Sequence, residues 1–332
     1  MSFVRSMGLG VALGLSACSG MPSDLDGGVD AGFDAGVDAG PPAIKYTRFT
    51  KRADGFPANA RVKGAAALDN VLYVATDQGL VALPNTNTKW DPVTTPLMSD
   101  EKPTSFQRVD QSLVMTSAGA STGGLWVKPY DGAWAKVMNA PPNPAWGLTR
   151  KSNEWLLVTT GGLYAATALN GPWARRSAMN ATLFATPVTR FVAAPAQQKM
   201  FAANEGGALF ESADLGATWV ASAPRGPVEA LAAGGAVVLV ATGMDGQQRS
   251  DNYGNTFRAA TMPLASGVLT YVAQGAQFWA GSNGGLFTST DTGVTFTEDS
   301  DGLPPGTSVR GLFFAQGYVV ADTPDGVFIN QI

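Results

Sequence analysis

The chain has 332 residues, 45% hydrophobic and only 14% charged, with 40 glycines and 21 prolines; this balance fits an all-β protein of many short strands and turns. It contains no histidine and one cysteine, which excludes His-based acid–base catalysis, the serine and cysteine triads that use His, and His-ligated zinc. The length suffices for one large core, and no helix-length amphipathic pattern stands out.

Residues 1–17 read as a signal peptide, because Arg5 is followed by the apolar stretch Met7 to Leu15, well short of the ~20 residues a spanning helix needs. The stretch ends in Leu15-Ser16-Ala17-Cys18, which resembles the bacterial lipobox. That resemblance implies cleavage before Cys18 and a lipid on its thiol, anchoring the protein to a membrane. In residues 18–43, Asp26, Asp30, Asp34 and Asp38 recur among Gly, Ala and Val. Such a segment has too little apolar surface to fold, and its like charges keep it extended. It resembles the tethers of myxobacterial lipoproteins, which implies a Gram-negative envelope protein, lipid-anchored at the outer membrane. As a flexible tether it would hold the body roughly 25–30 Å from the lipid.

With Arg5 and the five linker aspartates (Asp24 among them) set aside, 21 Lys and Arg face 21 Asp and Glu from Ile44 onward. A neutral body has no overall pull on nucleic acid or anionic lipid, so neither is an expected partner of the body. No cofactor and no metal ligand set is read from the sequence, and a monomer is expected.

Residues 44–332 read as one folded domain. Seven units recur, each a hydrophobic run, a Gly-containing turn and a second short run: 71–83, 112–128, 154–166, 199–212, 237–250, 277–289 and 317–330. Their aligned positions Val81, Trp126, Tyr164, Phe210, Gln248, Phe287 and Phe328 lie 38 to 46 residues apart, the period of four-stranded propeller blades. The expectation is a seven-bladed β-propeller of four-stranded antiparallel blades. The last unit ends before a fourth strand can form, so residues 45–51 are expected to supply it and close the last blade.

Behind three of these units stands a turn motif: Ser212, Asp214, Gly216 and Trp219; Ser250, Gly254 and Phe257, with Asp251 and Asn252 around the acidic position; and Ser289, Asp291, Gly293 and Phe296. Ser and Asp side chains bond to backbone groups of their own turn, Gly supplies the left-handed conformation, and the closing aromatic buries a large apolar area. Degenerate versions survive at Asp131-Gly132-Ala133-Trp134 and Asn170-Gly171-Pro172-Trp173. At these residues the chain resembles the BNR or Asp-box repeat of sialidases, sortilin-type receptor domains, photosystem assembly factors and some glucanases. The resemblance implies a β-propeller whose boxes are structural turns on the face away from the active or binding site.

No catalytic residue is assigned. A sialidase would carry an arginine triad, a Tyr–Glu pair and a Phe/Tyr-Arg-Ile-Pro start, and the nearest string, Tyr46-Thr47-Arg48-Phe49, does not match. The reading is therefore a non-catalytic binding or assembly module for an envelope protein or glycan, with a glycoside hydrolase, sialidase-like or two-carboxylate, as the alternative. Its expected binding rim is the apolar, proline-rich set of loops opposite the Asp-box turns, marked by Met98, Trp146, Phe184 and Met262.

Overall fold

The computed structural model describes residues 48–331 except 86, 121, 152, 178–187, 194–198, 207, 225, 244 and 261–266. The expected signal peptide, Cys18 and tether, together with Phe184 and Met262, lie outside the described residues.

The described residues open with a short strand, β1 (Thr50–Lys51), and then run through β2 (Val62–Leu68), β3 (Val71–Thr76), β4 (Gly79–Pro84) and β5 (Asp91–Val93). Next come β6 (Lys102–Val109), β7 (Ser112–Ala118), β8 (Gly123–Pro129) and β9 (Ala135–Lys136), followed by β10 (Ala145–Lys151), β11 (Glu154–Thr159), β12 (Gly162–Ala166) and β13 (Ala174–Ser177). The sheet after that holds β14 (Val188–Ala193), β15 (Met200–Asn204), β16 (Leu209–Ser212) and β17 (Val220–Ala221). It is followed by β18 (Val228–Gly234), β19 (Val237–Thr242), β20 (Gly246–Ser250) and β21 (Arg258–Ala259). Then come β22 (Val268–Gln274), β23 (Gln277–Ser282), β24 (Gly285–Ser289) and β25 (Thr297–Glu298), and finally β26 (Gly311–Ala315), β27 (Tyr318–Thr323) and β28 (Gly326–Gln331).

The architecture is an all-β propeller of antiparallel meanders, but the expected seven separate four-stranded blades are not what forms. Among the described residues, five blades stand as four-stranded sheets, and β2 to β9 join into one eight-stranded sheet ordered β5-β4-β3-β2-β6-β7-β8-β9. The join is a parallel pairing of Gly64 on β2 with Phe106 on β6. Its physical cause is the missing side chain at residue 64, where a β-carbon would stand 2.3 Å from the Phe106 carbonyl oxygen and 2.7 Å from its amide nitrogen. Only glycine lets the two inner strands approach that closely. The repeat pattern rests on second and third strands, so it carries no sign of this lateral contact between first strands.

β1 pairs antiparallel with β28, Thr50 opposite Ile329 and Lys51 opposite Phe328, and so forms the outer edge of the sheet that ends the chain. The first and last described strands are thereby held in one sheet, whose outer edge is a strand of two residues, too short to offer a neighbouring molecule much to pair with.

Each sheet is packed on both faces, which explains why β19 is buried at every residue rather than alternating. Between the sheets of β10–β13 and β14–β17, Leu156, Val158, Met200, Ala202 and Trp219 form one apolar cluster. Between β18–β21 and β22–β25, Leu239, Ala241, Tyr271, Phe278 and Phe296 form another. Trp90 and Trp219 are core residues, 1% and 7% exposed.

Two kinds of side-chain-locked turn punctuate the meanders. At the outer hairpins, Ser289 Oγ donates to Asp291 Oδ1 (2.8 Å) and accepts the Gly293 amide (2.8 Å), while Thr295 donates its amide to Asp291 Oδ1 (2.9 Å) and its hydroxyl to Oδ2 (2.6 Å). Ser212 and Asp214 repeat this with Gly216 and Thr218. In the third copy it is Asn252, not Asp251, that accepts the Ser250 hydroxyl (2.9 Å) and the Thr256 amide (3.0 Å). At the opposite end, the hairpins between second and third strands use a lone hydroxyl. Thr76, Thr159, Ser282 and Thr323 each donate to the carbonyl of a glycine three residues on, and each accepts the amide of the residue two on.

Candidate functional site

The first strand of each meander is the innermost, and these strands surround a cavity of about 610 Å³. Residues of β2, β6, β10, β14, β18, β22 and β26 all line it. Its volume lies in the ~300–1,000 Å³ range of small-molecule sites.

The mouth of this cavity is shaped by a repeated irregularity. In six inner strands the pairing skips one residue near the strand's start: Lys63, Thr104, Trp146, Thr189, Glu229 and Leu269 each stand as the extra residue between two paired ones. Arg310 holds the matching place before β26, its amide donating to the Asp322 carbonyl that faces Gly311. A β-bulge bends its strand and re-aims a side chain, and such bulges concentrate at rims and sites. The bulges occur at the end of the fold carrying the hydroxyl-locked hairpins, opposite the Asp214, Asn252 and Asp291 turns. Lys63, Thr104, Trp146 and Arg310 line the cavity; Glu229 is exposed and Leu269 half-buried.

Charge on the cavity wall is uneven. Among the described lining residues the cations are Arg61, Lys63, Arg190 and Arg310, and the carboxylates are Glu205 and Asp322. Asp322 is already engaged, since Arg310 donates to its Oδ1 (2.7 Å) and to the Thr323 carbonyl (2.6 Å). Burial pushes the Asp322 carboxyl up, against the opposing pull of Arg310, Arg61 and the Val62 amide. Across the cavity, Arg190 donates from Nε (3.0 Å) and Nη2 (2.6 Å) to the Glu229 carbonyl, and burial lowers its pKa although Glu229 works to raise it. Tyr271 is driven well above the usual phenol range by burial, so its hydroxyl stays protonated at neutral pH.

Three buried polar atoms in this wall have no hydrogen-bond partner: Trp146 Nε1, Arg310 Nε and Gln274 Oε1. Each such atom costs about 1–3 kcal/mol when left unsatisfied. Among the described residues, no group of three or more His, Cys, Asp or Glu side chains is placed to hold a metal ion.

The rim residues named from the sequence separate here. Trp146 sits in a bulge, half-buried against the cluster around Leu156 and Met200 and facing the cavity. Met98 is 60% exposed, outside the cavity wall, its carbonyl accepting the Glu101 amide. The arginines and the bulge positions were not singled out from the sequence. A usable signal was present in Val62-Lys63-Gly64, Ala145-Trp146-Gly147 and Val309-Arg310-Gly311, where a glycine follows the bulge residue and opens the regular strand.

No protein-family model matches the chain, and no curated protein matches it in sequence. Solved structures do resemble it. The protein YCF48 from Cyanidioschyzon merolae superposes with a TM-score of 0.63 at 14% identity, covering 86% of this chain and 98% of that one. YCF48 bound to D1 peptide gives 0.63 at 17% identity, covering 88% and 99%. An ancestral GH74 enzyme, AFV00434, gives 0.61 at 13% identity, covering 86% of this chain and 51% of its own. At these identities the likeness shows the propeller fold alone.

Proposed function

We propose that the chain is a lipid-anchored envelope protein whose propeller binds a protein or glycan at the cavity mouth, as a non-catalytic binding or assembly module. The observation that carries this reading is the alignment of bulges, which sets unlike residues, Lys63, Thr104, Trp146, Glu229 and Arg310 among them, around one opening. A ring of varied side chains on a shared backbone position is how a rigid scaffold builds specificity. The Asp-box resemblance is consistent with it, because the boxes then serve as turns at the opposite end. The peptide named with one YCF48 structure supports a peptide-binding role for a propeller of this shape.

The hydrolase alternative draws its support from the GH74 likeness. Against it stands the state of the two wall carboxylates: Asp322 is 3% exposed and held by Arg310, which leaves Glu205 without a free acidic partner among the described lining residues. A two-carboxylate mechanism needs one acid and one base or nucleophile, both reaching the scissile bond.

The test pairs two assays on the full chain. The parent is expected to capture a component of an envelope extract, Trp146→Ala to capture visibly less, and neither to turn over a panel of fluorogenic glycosides. Turnover that is lost in Glu205→Gln would replace this reading with the hydrolase.

A further inference from the structure

A second, smaller pocket, of about 240 Å³, stands between the sheet of β1 and β26–β28 and the neighbouring strands β3 and β4. It opens at the end of the fold that carries the Asp-box turns: Tyr318 is the first residue of β27, Gln331 the last of β28, and Asn85 and Asn87 lie in the turn after β4. That turn explains the space. In the three full boxes a glycine seats the turn on the preceding blade, Gly216 against Leu163, Gly254 against Phe201 and Gly293 against Leu239. Residues 84–90 contain no glycine, and their closing aromatic is anchored elsewhere. Trp219 Nε1 donates to the carbonyl of its own turn's Gly216 (3.1 Å), whereas Trp90 Nε1 donates to the Arg52 carbonyl (3.0 Å).

The chemistry of the pocket is set by alternation along the outermost strand. Phe49 points into the core with Trp279 and Leu312. Arg48, Thr50 and Arg52, each about 6.6 Å on from the last, therefore turn to the other face and line the pocket. Arg52 is half-buried, and among the described residues neither guanidinium has a hydrogen-bond or ion-pair partner.

The lining holds no Asp or Glu. Three carboxylates flank it in the fold. Asp301 adjoins Gly302, along which the Arg48 stem passes, and Asp54 adjoins Gly55, which lies against the Lys89 stem. Asp69, next to the Asn70 whose carbonyl accepts the Asn85 amide, is taken up by the Tyr130 hydroxyl (3.0 Å). Asp54 and Asp301 are exposed, so water and salt screen their pull. Set against Arg48, Arg52 and Lys89, these two acids still leave one positive charge.

The geometry points to a binding site for a small phosphomonoester. Each guanidinium can give two parallel N–H groups, and the hydroxyls of Thr50 and Tyr318 and the amides of Asn85, Asn87 and Gln331 add donors from other sides. Donors from several directions suit a tetrahedral, nearly doubly charged group with three free oxygens better than a planar carboxylate. The floor of Leu72, Leu83 and Ile329 takes the carbon part of the ester. A free metabolite and a phospholipid headgroup present the same chemistry here. This site stands at the end opposite the cavity mouth and does not depend on the macromolecular reading above.

The probe is glycerol 3-phosphate, titrated calorimetrically into the full chain at constant ionic strength. It is expected to bind at least tenfold more tightly than succinate, a dianion without the tetrahedral group, and glycerol should give no heat. Arg52→Gln should weaken binding at least tenfold and Arg48→Gln several-fold, while Trp146→Ala, at the cavity mouth, should bind the probe as the parent does. Arg52→Gln is read only with a native-like melt; Arg48 is exposed, and Arg48→Gln carries the test otherwise. No heat at about 10 mM probe, succinate binding as tightly, parental affinity in the arginine variants, or loss in Trp146→Ala each overturns the proposal. A second arm assigns the source. Full chains carrying Cys18→Ser, which removes the proposed anchor, are sedimented with phosphatidylcholine vesicles with and without phosphatidic acid. Sedimentation that needs phosphatidic acid and is lost in the arginine variant assigns the pocket to a lipid headgroup; sedimentation absent, or unchanged in the variant, assigns it to a free ester.

Discussion

Gly254 lies against the ring of Phe201, so close that a β-carbon built on it would stand 2.2 Å from the ring's Cζ. Gly254 belongs to the turn after β20 and Phe201 to β15, so the turn of one blade is seated on the core of the blade before it. Gly216 meets Leu163 and Gly293 meets Leu239 in the same way. The turns therefore fasten neighbouring sheets as well as reversing the chain. Gly254→Ala should destabilise by about 2–5 kcal/mol, since an overpacked β-carbon adds to the strain of a left-handed φ. Gly306→Ala, also left-handed at φ 71 but with open space around it, should cost only about 1–2 kcal/mol. Denaturant melts of the two variants check this; equal losses would mean that the contact with Phe201 carries no stability.

Burial works to raise the Asp291 carboxyl, but the hydroxyl and amide of Thr295, the Ser289 hydroxyl and the Val294 amide outweigh it and hold the pKa at about 2. A carboxyl depressed in the folded state adds stability above its unfolded pKa, near 3.9, and that stability fades as pH falls toward 2. Asp291→Ala should lose about 1 kcal/mol at neutral pH, the low end for a broken hydrogen-bond set because the released donors face water. The difference from the parent should shrink below pH 3. A parent and variant that melt alike at pH 7 would refute the locked turn.

Asp299 behaves in the opposite sense, because burial and then the nearby Asp301 charge raise its pKa to about 6. Its folded pKa exceeds the unfolded one, so its contribution favours the fold below about pH 4 and is lost as pH rises through 6. Asp299→Asn is therefore expected to melt higher than the parent at pH 8, by about 1–2 kcal/mol after allowance for solvent screening, and alike at pH 4. A variant that melts lower at pH 8 contradicts the sign.

How much of this could be read from the sequence depended on which forces leave a local mark. The Ser250 to Phe257 turn is written within eight residues, because its hydrogen bonds join near neighbours in the chain. The hairpin β23–β24 is legible for the same reason, its register set by the short turn between Ser282 and Gly285. The pairing of Gly64 with Phe106, and hence the fusion of two meanders into one sheet, depends on residues 42 positions apart and leaves only a glycine as its trace. The cavity mouth was the least legible. Lys63 and Arg310 are cations and Trp146 is an indole, they lie far apart in the chain, and it is the shared backbone position that brings them to one opening.

The proposed address makes a separate prediction. Metabolic labelling with palmitate is expected to mark the parent and not Cys18→Ser, which should accumulate unprocessed or free of the membrane. Label in both proteins would remove Cys18 as the anchor.

The most direct measurement of the binding role compares the two ends of the propeller within one capture experiment. Full chains carrying Lys63→Glu or Trp146→Ala alter the mouth. Chains carrying Tyr130→Ser or Val294→Ser, at positions 52% and 50% exposed in turns of the opposite end, alter the far face. All are immobilised, and the amount of the parent's captured component is quantified. The account predicts at least a tenfold loss with the mouth variants, about 1.4 kcal/mol, and parental recovery with the far-face variants. Full recovery with the mouth variants and loss with Tyr130→Ser or Val294→Ser would place binding at the wrong end and contradict it.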